Sequence, residues 1–204
     1  METIDKYRTI RKPSKGLFRD RGSRFIAIAL PVASQALVKE LLESYRKEYH
    51  DARHHCYAWI IGPGKEQWRI NDDGEPSGTA GKPILGQINS NDLTNILIVV
   101  IRYFGGTLLG TSGLINAYRS AAADAIKNSE IVECTVNAYY TIKFPYAVLN
   151  DVMRIIKEED LLQSDQLFEL ECSLKVGFRL SHKDRIIRRL SAVPGLAAWF
   201  EGNL

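Results

Sequence analysis

Hydrophobic and polar positions along this chain alternate between two periods, and the changes of period mark its elements. Arg24–Leu30 (RFIAIAL) is apolar and β-branched, predicts a strand, and is stopped by Pro31. Ser34 is placed to cap a helix on which Leu37, Val38, Leu41, Leu42, Tyr45 and Tyr49 recur at helical spacing. Cys56–Ile61 predicts a strand, Gly62–Lys65 a turn, and Gln67–Ile70 its hairpin partner. Pro83 suits the first turn of a short helix running to about Gln87. Thr94–Phe104 (TNILIVVIRYF) is the most apolar stretch; a continuous run of this kind predicts a strand covered on both faces. A glycine-rich turn, Gly105–Gly113, leads to an alanine-rich helix over Leu114–Asn128.

Past Glu130 the pattern changes. Val136–Phe144 alternates as a strand, and Ala147–Glu158 is helical. Leu161–Ser164 and Phe168–Leu180 read as strands, Ser181 as a cap for a helix over Lys183–Ala192, and Leu196–Phe200 as a last strand. This βαββαβ order is the ferredoxin-like pattern. The expected class is α+β, with an N-terminal α/β domain over 1–135 and a C-terminal domain over 136–204.

Composition adds little, but the placement of charge adds more. The 204 residues carry a net charge of +3. Residues 1–135 hold 18 basic and 15 acidic side chains, and 136–204 hold nine of each, so the whole excess lies in the first part. Lys6, Arg8, Arg11, Lys12, Lys15, Arg19, Arg21 and Arg24 face a single acid, Asp20. Such a run neutralises phosphates or forms a solvated, partly mobile arm. Cys56, Cys134 and Cys172 form no paired motif, which points to a reducing compartment. The N-terminus lacks an apolar signal core and no run approaches the ~20 residues of a membrane span, so a cytosolic protein without a membrane role is expected.

Two loops concentrate the chemistry. In the first, Gly105, Gly106 and Gly110 precede a helix N-terminus, where unpaired N–H groups attract anions. Arg102, Tyr103 and Phe104 end the strand beside it, and Lys82 is a further cation for the same site. The aromatics serve either base stacking or the strand's own core. The glycines serve either an anion or a tight turn with close helix packing. Thr111 stands where a P-loop needs lysine, so nucleotide hydrolysis of that kind is not expected. The second loop, Asn71–Gly81, offers Asp72, Asp73, Glu75, Ser77 and Thr79. Its acids suit Mg²⁺ or acid–base work, or a turn in which short acids bond their own backbone. Its register does not fit an EF-hand. His50 and His54 have the spacing of zinc ligands on a helix but lack a second pair. His55 is a base in search of a nucleophile, because neither Ser77 nor Ser112 lies in a nucleophile elbow. No metal, cofactor or complete catalytic set is therefore expected.

The same residues carry a resemblance. His54–Ala58, DDGEPSGTAG at 72–81, Pro83–Leu85, and VVIRYFGGTLLGTSGL at 99–114 with Ala117-Tyr118 are similar to the signature of the YigZ/IMPACT family. The resemblance implies an N-terminal domain like the second domain of ribosomal protein five of the small subunit. It implies a C-terminal domain like the ferredoxin-like end of elongation factor G. Eukaryotic relatives regulate translation initiation by opposing activation of an initiation-factor kinase, with an added N-terminal domain. This chain opens almost directly on the shared domain, so that role is not expected to carry over. Where family members often have lysine between the glycine pairs, this chain has Thr107-Leu108, which trims charge from the anion site. The expected function is a translation-associated regulator that binds RNA, the ribosome or a protein partner. The alternative is an enzyme or binding protein for a phosphorylated small molecule.

Overall fold

Strand β6 (Ile96–Tyr103) lies at the centre of the first half of the molecule and sends alternate side chains to opposite sides. Ile96, Ile98 and Val100 enter one apolar cluster, while Leu97, Val99 and Ile101 enter another. All six are fully buried, so the unbroken apolar run has a physical cause: both faces of the strand are covered. These relations come from a computed structural model that describes residues 5–203.

The chain divides into two compact units. One is Tyr7–Cys134; the other runs from Thr135 onward and includes Asp5 and Lys6. In the first, β2 (Ser14–Asp20), β3 (Ser23–Pro31), β6, β4 (His54–Ile61) and β5 (Gln67–Asn71) form an antiparallel sheet in the order β2-β3-β6-β4-β5. Helices α2 (Gly81–Ser90) and α3 (Gly110–Lys127) cover one face. Helix α1 (Gln35–Glu48) covers the other, and Ser34 caps it by accepting from the Leu37 N–H. Strand β1 (Lys6–Ile10) pairs with β7 (Ile131–Thr135) in a separate two-stranded sheet.

The basic stretch 6–24 is thus not a mobile arm: from Lys6 on it forms β1, β2 and the start of β3. The sequence conceals β2 because its inward positions are Ser14, Gly16 and Phe18, mostly small. They are small because α3 lies on them. A Cβ on Gly16 would stand 2.2 Å from the Ala125 backbone N and 2.7 Å from the Ala121 carbonyl O. Ser14 donates to the Ala125 carbonyl (2.8 Å), and Asp124 accepts from the Leu17 N–H (2.9 Å). Ala117, Ala121 and Ala125 form the buried stripe this approach requires.

In the second unit, β8 (Asn137–Pro145), α4 (Leu149–Glu158), β9 (Leu162–Leu167), β10 (Glu171–Arg179), α5 (Lys183–Ser191) and β11 (Ala197–Asn203) follow in βαββαβ order. Their antiparallel sheet has the order β11-β8-β10-β9. Ala138, Tyr140, Ile142 and Phe144 of β8 and Cys172, Leu174, Val176 and Phe178 of β10 pack with α4 and α5 on one face. Two expectations change here. The strand expected from Phe168 begins at Glu171. Ser181 does not cap α5; it lies in a 3-10 turn (Leu180–His182), where its N–H donates to Asp5. Among the described residues no helix is long and apolar enough to cross a membrane.

Candidate functional site

The acidic loop between β5 and α2 is built from its own backbone demands. Asp73 and Gly74 both have positive φ (42° and 85°), which turns the chain sharply back. Asp72 is the central support: its carboxylate accepts from the N–H groups of Gly78 (2.8 Å), Ala80 (3.0 Å) and Gly81 (2.8 Å). The last two lie at the N-terminus of α2, which has no cap from its own N-cap residue. Burial raises the Asp72 pKa, but these three donors outweigh it and hold the carboxyl below its usual range. Thr79 donates to the Pro76 carbonyl (2.7 Å), closing the second bend, and Ser77 is exposed at its tip.

Asp73 is equally engaged. One oxygen accepts from the His55 N–H (2.7 Å) and the other from Arg46 (3.1 Å), while its own carbonyl meets His54 Nδ1 at 2.7 Å. His55 is buried on β4, with Nδ1 4.0 Å from Asp73. Burial pushes its pKa down, with Asp73 partly opposing. His50 lies in the turn after α1 and His54 begins β4, so no helix brings these two histidines onto one face. Among the described residues no group of three His, Cys, Asp or Glu side chains stands together as metal ligands.

The third acid closes the structure. Glu75 Oε1 accepts from Arg102 NH1 (2.6 Å) and from the Tyr118 hydroxyl (2.7 Å). The Cys56 thiol has one hydrogen to share between two acceptors, the Asp72 carbonyl at 3.0 Å and the Tyr118 hydroxyl at 3.3 Å. Burial pushes the Cys56 thiol and the Tyr118 phenol well above their ordinary ranges, so both stay protonated. The guanidinium of Arg102 lies 5.4 Å from the Phe25 ring centroid and 5.6 Å from that of Phe104. The acidic loop, the end of β6 and α3 are therefore joined by one buried polar network.

This changes the expected role of Arg102. It is 6% exposed and its charge is matched by Glu75, so it is an internal tie and not a phosphate contact. Lys82, in the first turn of α2, lies beside Gly78 and Asp72 of the acidic loop. Tyr103 points to the opposite face, donates to Asp51 (2.8 Å), and lies under the Arg24 guanidinium at 4.5 Å.

The exposed basic surface comes from residues whose placement the sequence did not reveal. The two-residue turn Arg21-Gly22 joins β2 to β3 with positive φ at both positions (45° and 78°), the geometry that suits strand twist. A Cβ on Gly105 would lie 2.0 Å from the Gly22 carbonyl carbon, and the Gly105 N–H donates to Ser23 (3.1 Å). The glycine turn thus packs directly against this hairpin. Arg19, Arg21, Arg24 and Tyr103 line a cleft of about 480 Å³ with Asp20, Gly22 and Ser23. Phe104 and residues 105–108 are exposed beside the hairpin, as is Gly110 at the start of α3, whose N-terminus has no side-chain cap.

Comparison with known proteins fits this geometry. The Impact N-terminal domain family matches residues 21–126. The chain is 38% identical over 147 residues to the IMPACT family member YigZ of Escherichia coli (strain K12), covering 70% of this chain and 72% of that one. It is 31% identical over 175 residues to the IMPACT family member YvyE of Bacillus subtilis (strain 168), covering 86% and 79%. A solved structure described only as a hypothetical protein superposes with a TM-score of 0.76 at 29% identity, over 97% of this chain and 98% of that one. The matched segment holds the acidic loop, the buried network and the glycine turn: the chain belongs to the IMPACT family.

Proposed function

We propose that this protein is a cytosolic, translation-associated regulator that binds RNA, in particular on the ribosome, through the β2–β3 hairpin and the adjoining glycine turn. One observation carries the reading: Arg19 and Arg24 stand directly opposite each other across the hairpin, with Arg21 at its tip. Like charges in that position repel and weaken a hairpin. An arrangement of this kind is stabilised when a polyanion lies across it, because phosphates neutralise the arginines and release counterions. Among the described residues no carboxylate forms a salt bridge with any of the three. The exposed glycine turn and the uncapped start of α3 extend the surface with backbone N–H donors.

Membership of a family with translation-related members supports the same reading. So does the βαββαβ unit, which we read as ferredoxin-like, and the first unit, which we read as like the second domain of the small-subunit ribosomal protein. The alternative, turnover of a phosphorylated small molecule by the acidic loop, gains no support from the geometry: Asp72, Asp73 and Glu75 all have structural partners. Co-sedimentation of the triple variant Arg19→Ser, Arg21→Ser, Arg24→Ser with ribosomes tests the proposal. Loss of sedimentation supports it, and wild-type sedimentation by the folded variant overturns it.

A further inference from the structure

The second unit has a sheet face that its helices do not cover. Along β8 the inward residues alternate with Tyr139, Thr141 and Lys143 on the open side. Trp199 of β11 and Lys175 of β10 both stand opposite Thr141, one on each side. Tyr139 is one step along, opposite Gly177. That glycine leaves room for the ring: a Cβ there would lie 2.6 Å from Tyr139 Cε1. Trp199 is 50% exposed. A cation lies over each ring, Lys175 Nζ 5.6 Å from the Tyr139 centroid and Lys143 Nζ 6.0 Å from that of Trp199. At the far end of the face Glu171 stands opposite Pro145, and Glu201 lies in the irregularity of β11 between Phe200 and Gly202.

Two aromatic rings laid on a sheet, each beside a lysine, form the surface on which unpaired bases stack while cations meet the phosphates between them. We infer that this face binds single-stranded RNA, one base on Tyr139 and one on Trp199, with Lys143 and Lys175 against the backbone. Each stacking base takes the place of the ammonium group over its ring, which turns to the phosphates. The choice of RNA over DNA rests on the translation-linked reading above. The surface itself belongs to the other unit and shares no residue with the hairpin. Leu162 and Leu167 of β9, opposite Gly177 and Ser173, add exposed apolar area to the face; the lysine at each aromatic ring is what favours RNA over a protein partner.

The test is fluorescence anisotropy of the full chain with a labelled single-stranded RNA of about 12 nucleotides and a duplex of the same length. The variants are Tyr139→Ala with Trp199→Ala, Tyr139→Phe with Trp199→Phe, and the triple hairpin variant. The alanine pair is expected to lose roughly tenfold or more in single-strand affinity, with an unchanged melting temperature and little change toward duplex. The phenylalanine pair, which keeps both rings, is expected to retain most of it. Wild-type single-strand affinity in the folded alanine pair overturns the inference. So does an equal loss toward duplex, or loss of a nuclease-resistant protein partner with RNA affinity intact. If the hairpin variant loses ribosome binding while the alanine pair keeps single-strand affinity, the proposed function stands and this inference falls.

Discussion

Glu75 and Arg102 form an ion pair from which water is excluded: NH1 lies 2.6 Å from Oε1, with the two side chains 3% and 7% exposed. Desolvating two charges is costly, and breaking such a pair leaves one charge buried and unmatched. The Glu75→Ala substitution should therefore cost about 3–5 kcal/mol in urea unfolding. Replacing both residues, as Glu75→Leu with Arg102→Met, should cost less than the single change. Equal or greater loss in the double variant would argue against a matched buried pair.

Asp72 predicts a pH dependence. Its pKa in the folded protein lies below the ordinary carboxylate value of 3.8, so its contribution is fully present above that value and is lost as pH falls through the folded pKa. With the charged acceptor removed, Asp72→Asn should be less stable at neutral pH by about 1–3 kcal/mol. The gap to the parent should shrink below about pH 4. Unfolding followed across pH checks this; a constant gap would contradict it.

Two glycine-to-alanine changes should have opposite signs. Gly16 is pressed against the backbone of α3, which cannot move aside, so Gly16→Ala should destabilise by about 1–3 kcal/mol or more. Gly86 lies within α2 with nothing within 4 Å of an added Cβ, so Gly86→Ala should stabilise by up to about 1 kcal/mol. Thermal melts of the pair give both signs in one experiment.

How much of this was legible in the sequence depended on where each residue's partner lay. The β6 run and the alanine stripe of α3 were readable because burial repeats locally, every second residue or every helical turn. Strand β2 was hidden. Its outward residues Lys15 and Arg19 read as a charged tail, and its inward Gly16 is small because of a helix more than a hundred residues later. The one local sign was the Asp20-Arg21-Gly22 turn, which closes a hairpin in two residues. Arg102 misled for a related reason. A cation at a strand end reads as solvated, and nothing nearby in sequence shows that Glu75, 27 residues earlier, folds back onto it.

Arg102 is consequently the wrong probe for RNA binding, since its removal leaves Glu75 buried without its ion-pair partner and should cost stability. Arg21 is the right one: it is exposed at the hairpin tip and holds no structural contact named above.

The most direct test of the central claim is RNA affinity of the full chain, with and without Arg21→Ser, measured across a salt series. Phosphate contacts release counterions, so log affinity should fall linearly with log salt, and the variant's slope should be shallower by roughly one. A wild-type affinity that is flat in salt, or a variant with an unchanged slope, would contradict a polyanion seated on the hairpin.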